Sequence, residues 1–426
     1  MAITASTKNT IVLHGKTYKR PTRPTVVVCV DGFDPTYLEQ GIADGTLPTL
    51  AGFVKSGFHR TANVAMPSFT NPNNVSIITG VPTAVHGIAG NYFLDSATNT
   101  EHMVLDDSLL RGSTILAEMA AQGVRVAAIT AKDKLRRIID HGLGLGVTST
   151  RGSNSQNICF STEKASDAEL QQWIGRPQRP DQYSGDLSLC VLDAGIRILE
   201  ADRADLFYLT LSDFIQHKHA PCTPAASEFM QGVDSRIGRL IELGAVVAVT
   251  GDHGMSDKSC DDGKPNVLFV QDALEAQFGL PSGSIRVICP ITDPFVKHHG
   301  ALGGFVRVHI LDESFRSQAP AMVEYLRGLP AVEAALLKED AARQLEMPLD
   351  REGDFVVVSS KNYVVGGRAA EHDLSTLGGH RLRSHGGFSE QQVPLLMSVP
   401  IVEDDSTRFR QWRNFSIFDL ILNYGQ

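Results

Sequence analysis

The chain has 426 residues, with 39 Lys plus Arg against 48 Asp plus Glu and a formal net charge of −9. That balance excludes nucleic-acid binding through a generally basic surface, while leaving room for a local basic pocket. Hydrophobic residues at 42% and charged residues at 20% describe a soluble globular protein with a sizeable core, of two or three domains or one large α/β unit with insertions.

The segment Met1 to Arg20 is polar and mixed, without the long apolar stretch of a secretory signal. The β-branched run Thr25 to Val30 then ends in Asp31-Gly32-Phe33-Asp34, which predicts a buried strand bringing a carboxylate to the carboxyl edge of a sheet. Asp31 reads equally well as the cap of the next helix. An amphipathic helix is predicted over Tyr37 to Val54. Further on, helical Ser113 to Gln122 precedes a strand at Arg125 to Thr130. Helical Leu187 to Ala201 precedes Leu206 to Leu211, and helical Ala225 to Leu243 precedes Ala245 to Thr250. This alternation predicts an α/β fold, doubly wound around a mainly parallel sheet.

Beyond His253 the texture changes. Strands at Asn266 to Val270, Ile285 to Cys289, Gly304 to Ile310 and Asp354 to Ser359, with a helix at Ser317 to Gly328, predict a smaller α+β cap insertion over 263–368. The core is then 1–262 and 369–426, closed by a strand at Val393 to Val399 and a helix at Ile417 to Leu422. No apolar stretch reaches about 18 residues, so no membrane span is expected. Cys29, Cys159, Cys190, Cys222, Cys260 and Cys289 form no C-x-x-C pair and no disulfide framework, which fits a reducing, cytoplasmic location.

Chemistry concentrates at the predicted strand ends. Asp213 and His217 are four apart, on one face if the chain turns helical there, a spacing that suits one cation or simply a helix start with a surface histidine. Asp252-His253-Gly254 ends the next strand, and a buried carboxylate beside an imidazole needs partners that a metal supplies. His385 lies in a late glycine-rich loop, with His380 as a nearby competitor. Together Asp31, Asp213, His217, Asp252, His253 and His385 form an oxygen and nitrogen donor set without thiolates, sufficient for two divalent metals, and zinc suits it better than manganese or iron. Thr70 starts a helix-like run, where free N–H groups attract anions and Asn73 would add a donor; an N-cap would look the same. After the strand ending at Thr130 come Lys132 and Lys134, two ammonium groups at the same sheet edge or a solvated helix start.

The motifs Asp31-Gly32, Pro67-x-x-Thr70-x-Pro72-Asn73, Thr79-Gly80, His86-Gly87, Asp213-x-x-x-His217, Asp252-His253-Gly254-Met255 and His385 resemble the alkaline phosphatase superfamily, in particular its nucleotide pyrophosphatase/phosphodiesterase branch. The resemblance implies two zinc ions at the carboxyl end of a doubly wound sheet and a Thr or Ser that attacks phosphorus. It implies that Asp31, Thr70, Asp252 and His253 hold one ion, that Asp213, His217 and His385 hold the other, and that Asn73 binds a phosphoryl oxygen. His217 then also borders the substrate. The lysine pair is similar to that of branch members cleaving the C–P bond of phosphonoacetate, and implies that Lys132 and Lys134 bind the substrate carboxylate. The expected partner is therefore a small-molecule phosphonate, with no nucleic acid or membrane, and the resemblance suggests a homodimer. A nucleotide pyrophosphatase/phosphodiesterase is the alternative, in which the lysines are incidental.

Overall fold

The computed structural model describes residues 9–143, 157–294, 299–401 and 411–425, so the start of the polar segment Met1 to Arg20 lies outside the described residues. What is described of that segment forms a hairpin, β1 (Thr10–Leu13) and β2 (Lys16–Lys19), which polar composition does not predict. Its inward residues Ile11, Leu13 and Tyr18 are buried, while Val12, Thr17 and Lys19 face out.

The strands that follow are β3 (Thr25–Val30), β4 (Phe58–Asn63), β5 (Tyr92–Asp95), β6 (Thr100–Met103), β7 (Val126–Thr130), β8 (Ile158–Ser161), β9 (Leu206–Thr210), β10 (Val246–Gly251) and β11 (Ser256–Asp257). The later part of the chain adds β12 (Val267–Phe269), β13 (Ile285–Ile288), β14 (Phe305–Ile310), β15 (Val332–Leu337), β16 (Phe355–Ser359), β17 (Val364–Gly366), β18 (Arg383–Ser384) and β19 (Gln392–Met397). A seven-stranded sheet runs in the order β4-β19-β10-β3-β9-β7-β8. The pairs from β10 through β8 are parallel, and β19 is antiparallel to both of its neighbours.

β3 lies between β10 and β9, and all its residues are buried. Val26, Val28 and Val30 pack on one face with residues of the helices Gly185–Glu200 and Pro224–Glu242. Val27 and Cys29 pack on the other with residues of the helices Ile115–Ala121 and Ile417–Asn423. Both faces are covered, which is why the strand is apolar throughout rather than alternating. Each fully buried valine contributes about 1.5–3 kcal/mol.

Several elements differ from the sequence expectation. The helix expected over Tyr37 to Val54 is two helices, Pro35–Ala43 and Pro48–Ser56. Gly45 adopts φ +71° between them and Pro48, which cannot donate to a preceding turn, opens the second. β4 and β8 form the two sheet edges, where short or polar strands leave only a weak apolar signal. Within 263–368 the strand expected over Asn266 to Val270 stops at Phe269, and a helix begins at Val270. β15 and the helix Lys338–Gln344 are additional. This region builds an antiparallel sheet, β13-β14-β16-β15, on an apolar cluster that also takes in Met66 and Phe69.

The parallel registers set up the site. Val30 pairs with Gly251, Cys29 with Thr210, and Thr130 with Thr210, so β3, β10, β9 and β7 end level with one another. Asp31, Asp252, Asp213 and Lys132 therefore leave the sheet at one edge.

Candidate active site

Asp31 is fully buried directly after β3. Its carboxylate accepts from Lys132 Nζ at 2.9 Å and lies 3.0 Å from His253 Nε2, and Gln216 Nε2 donates to its backbone carbonyl at 2.8 Å. The helix-cap role falls to Asp34, which accepts from Thr36 N. The turn between them depends on Gly32, whose φ of +70° disfavours other residues and where a Cβ would sit 3.3 Å from that of Gln216.

Asp213 opens the helix Phe214–Lys218, yet its side chain caps nothing. It turns inward to His217 Nε2 at 3.0 Å and Lys132 Nζ at 3.0 Å. Asp252 is held on both sides, accepting from Gly32 N at 3.2 Å and from Asn74 Nδ2 at 2.9 Å. His385 Nε2 lies 3.7 Å from Asp213, and its ring stacks on His253 with centroids 3.5 Å apart. His380 is exposed and has its ring near His219 instead.

Thr70 is the first residue of the helix Thr70–Thr79, whose N-cap is Phe69. Its hydroxyl makes no capping bond and lies 3.5 Å from His253 Nε2. Asn73 does not face this space. Its Nδ2 donates to the carbonyls of Ala65, Pro67 and Phe69, and its Oδ1 accepts from Ala65 N. A side chain committed to four backbone groups braces the loop before Thr70 rather than reaching a ligand oxygen, which corrects the sequence expectation. The asparagine beside the helix start is Asn91, just before β5, with Oδ1 accepting from Asn71 N at 3.3 Å. Proximity to Thr70 depends on tertiary structure, and only the Gly90-Asn91 turn pair hints at it in the sequence. His299 is a second residue the sequence reading omits; it is buried, with its ring 5.3 Å from that of His217.

The donor set fits divalent metal. His217, His253 and His385 each direct Nδ1 to a backbone carbonyl, of Arg383, Gly254 and Ser68 respectively. A carbonyl only accepts, so each Nδ1 carries a proton and each Nε2 is left to face the carboxylates. Asp31 Oδ1 and His253 Nε2 approach to 3.0 Å, yet Asp31 Oδ1 has no partner in hydrogen-bonding geometry. Two groupings of mutually close donor atoms result, Asp213 with His217 and His385, and Asp31 with Asp213 and His253. Asp213 belongs to both.

Charge points the same way. Burial and the nearby Asp31 push the Asp252 carboxyl up to about 8. Burial lowers the pKa of His253, but Asp252 and Asp31 outweigh it and raise it to about 9. His385 is depressed by burial and by the two neighbouring histidines. Crowded buried carboxylates of this kind call for cations.

Both lysines reach this edge. Lys132 opposes burial through Asp213 and Asp31, which hold its pKa well above the ordinary value. Lys134 Nζ bonds Asp293 Oδ2 at 2.5 Å, and burial still leaves its pKa lowered. Among the described residues no helix is long and apolar enough to cross a membrane.

Known proteins resemble this chain in sequence and fold. The family model for type I phosphodiesterase / nucleotide pyrophosphatase matches residues 25–386. The crystal structure of phosphonoacetate hydrolase from Sinorhizobium meliloti in complex with phosphonoformate has 40% identity and a TM-score of 0.89, covering 98% of this chain and 99% of that one. Its complex with phosphonoacetate gives 39% and 0.88. Murine ectonucleotide pyrophosphatase/phosphodiesterase 5, at 16% identity and a TM-score of 0.63, shares the fold. A Penicillium oxalicum phosphonoacetate hydrolase is 81% identical over 31 residues, 7% of this chain and 43% of that sequence. An uncharacterized pyrophosphatase/phosphodiesterase of Schizosaccharomyces pombe is 26% identical over 324 residues, 72% of this chain and 56% of that protein. The matches thus span about half the length of these two curated relatives.

Proposed function

The chain belongs to the type I phosphodiesterase / nucleotide pyrophosphatase family, and from that membership we propose that it hydrolyses the C–P bond of phosphonoacetate to acetate and phosphate. One juxtaposition carries the proposal: the Thr70 hydroxyl, beside a buried histidine and carboxylate set, shares a sheet edge with the ammonium groups of Lys132 and Lys134. The phosphonate end of the substrate belongs near Thr70 and its carboxylate near the lysines.

Two zinc ions held there, one by Asp31, Thr70, Asp252 and His253 and the other by Asp213, His217 and His385, would lower the pKa of the Thr70 hydroxyl and offset the charge of the phosphoryl oxygens. Thr70 Oγ attacks phosphorus in line with the C–P bond. Asn91 Nδ2 donates one of its two protons to Ile291 O, which leaves the second for a phosphoryl oxygen. The electron pair of the breaking bond moves onto the methylene carbon and spreads into the carboxylate. Lys132 and Lys134 stabilise that enediolate charge, which is larger in the transition state than in the ground state. Protonation at carbon releases acetate. Water then attacks the phospho-threonine, releasing phosphate and restoring the Thr70 hydroxyl. In this assignment 263–368 is the cap that closes over the substrate.

The test is release of acetate and phosphate in equal amounts by zinc-loaded protein, measured beside a nucleotide ester and a nitrophenyl diester. Turnover confined to the esters would move the assignment to a nucleotide pyrophosphatase/phosphodiesterase, and no turnover on any of them would remove both.

A further inference from the structure

We propose that Asp293, carried by the insertion, is a specificity-determining residue that positions Lys134 for a substrate carboxylate. This inference rests on the reading above of Lys134 as a carboxylate binder.

Asp293 lies after β13, and both it and Lys134 are buried. Their contact, at 2.5 Å, joins the insertion to the helix that starts after β7. The two lysines are thus anchored differently. Lys132 is bound to Asp31 and Asp213, which belong to the candidate metal set. Lys134 is anchored on the cap. An ammonium has three donors, and Asp293 engages one of them, so the contact aims Lys134 without using up its capacity to bind an anion.

The segment around Asp293 does a second thing. Pro290 O accepts from Asn91 N at 2.8 Å, and Ile291 O accepts from Asn91 Nδ2 at 3.2 Å. Residues 290–293 therefore fix both Asn91, beside the nucleophile, and Lys134, at the carboxylate end. That loop sets the distance between the two ends of a bound substrate, and near-attack geometry depends on such distances. Without Asp293 the buried Lys134 ammonium would lose its hydrogen-bonded counter-charge, so it would turn away.

The experiment compares zinc-loaded wild type, Asp293→Asn, Asp293→Glu, Lys134→Met and the double variant Asp293→Asn/Lys134→Met, on phosphonoacetate and on 4-nitrophenyl phosphate, which has no carboxylate. Asp293→Asn should raise KM for phosphonoacetate by at least about 30-fold while changing turnover of the ester by less than about threefold. Asp293→Glu should recover much of the loss. In the Lys134→Met background, Asp293→Asn should cost little more, since the residue acts through Lys134. Equal losses on both substrates, or losses that multiply in the double variant, would reduce Asp293 to a structural residue and overturn the proposal. Wild-type protein inactive on phosphonoacetate would instead overturn the proposed function on which it rests.

Discussion

Asn74 is where stability and metal binding meet most directly. It lies on the helix that begins with Thr70 and is fully buried. Its Oδ1 accepts from Tyr208 Oη at 2.7 Å and Thr210 Oγ1 at 2.8 Å, and its Nδ2 donates to Asp252 Oδ2 at 2.9 Å and to Thr70 O. Asn74→Ala removes the acceptor shared by two buried hydroxyls and the donor to a buried carboxylate oxygen. Each unsatisfied group costs about 1–3 kcal/mol, and with some relief from water entering the space the loss should be about 3–6 kcal/mol. Asp252 would also lose the donor that orients it, and removal of such supporting contacts weakens metal sites about 10–100-fold. Urea unfolding of chelator-treated protein measures the first effect, and zinc competition with a chromogenic chelator the second. If the variant stays within about 1 kcal/mol of wild type and binds zinc as tightly, the assigned role of this asparagine is wrong.

Other substitutions separate roles that look alike in the sequence. Thr70→Ala should abolish turnover while keeping most zinc binding; retained turnover would remove Thr70 as nucleophile. Asn91→Ala should lower kcat about 10²–10³-fold, as for loss of an oxyanion donor, with a smaller loss of stability than Asn73→Ala, which should show its main effect in stability; the reverse pattern would restore Asn73 to the site. Arg307 and Glu352 form a buried two-point ion pair at 2.6 and 2.7 Å. Glu352→Gln leaves the guanidinium uncompensated and should destabilise by about 3–5 kcal/mol, while replacing both by Met should recover much of that; a smaller loss for Glu352→Gln than for the double variant would contradict this. Chelation of zinc should lower stability by about 4 kcal/mol for each site at which free zinc is a thousandfold above its Kd, and a melting temperature indifferent to chelator would argue against a structural contribution from metal.

The carboxylates that cluster at the sheet edge were legible because the physics that buries a strand also marks its end. A run such as Thr25 to Val30 is apolar on both faces, so an acid immediately after it stands out. The same holds for Asp252 after β10, and the i, i+4 spacing of Asp213 and His217 survives folding as a helix. Asn91 has no such marker. It precedes a half-buried hairpin strand, and its placement depends on the carbonyls of Pro290 and Ile291, distant in sequence. Asn73 misled because Thr-x-Pro-Asn puts a polar group close in sequence, while the helix turns that group back onto residues 65–69. Asp293 and His299 escaped for a related reason, since they lie between two strands of the second sheet, whose pattern gives no sign of which loop faces the site. The edge strands β4 and β8 and the helix at Val270 were lost where polarity or helix-forming residues weakened the period-two signal.

The position of β19 has a consequence for how the chain comes off the ribosome. Residues 392–397 sit between β10 and β4, so the sheet has a gap until residue 397 has emerged. During that interval β10, a valine-rich strand, exposes unpaired backbone on one side, and β4 has no neighbour at all. An open apolar edge of this kind recruits other chains as readily as its own missing strand. A nascent chain stalled or truncated before residue 392 should thus be aggregation-prone even though most of its core residues are already present.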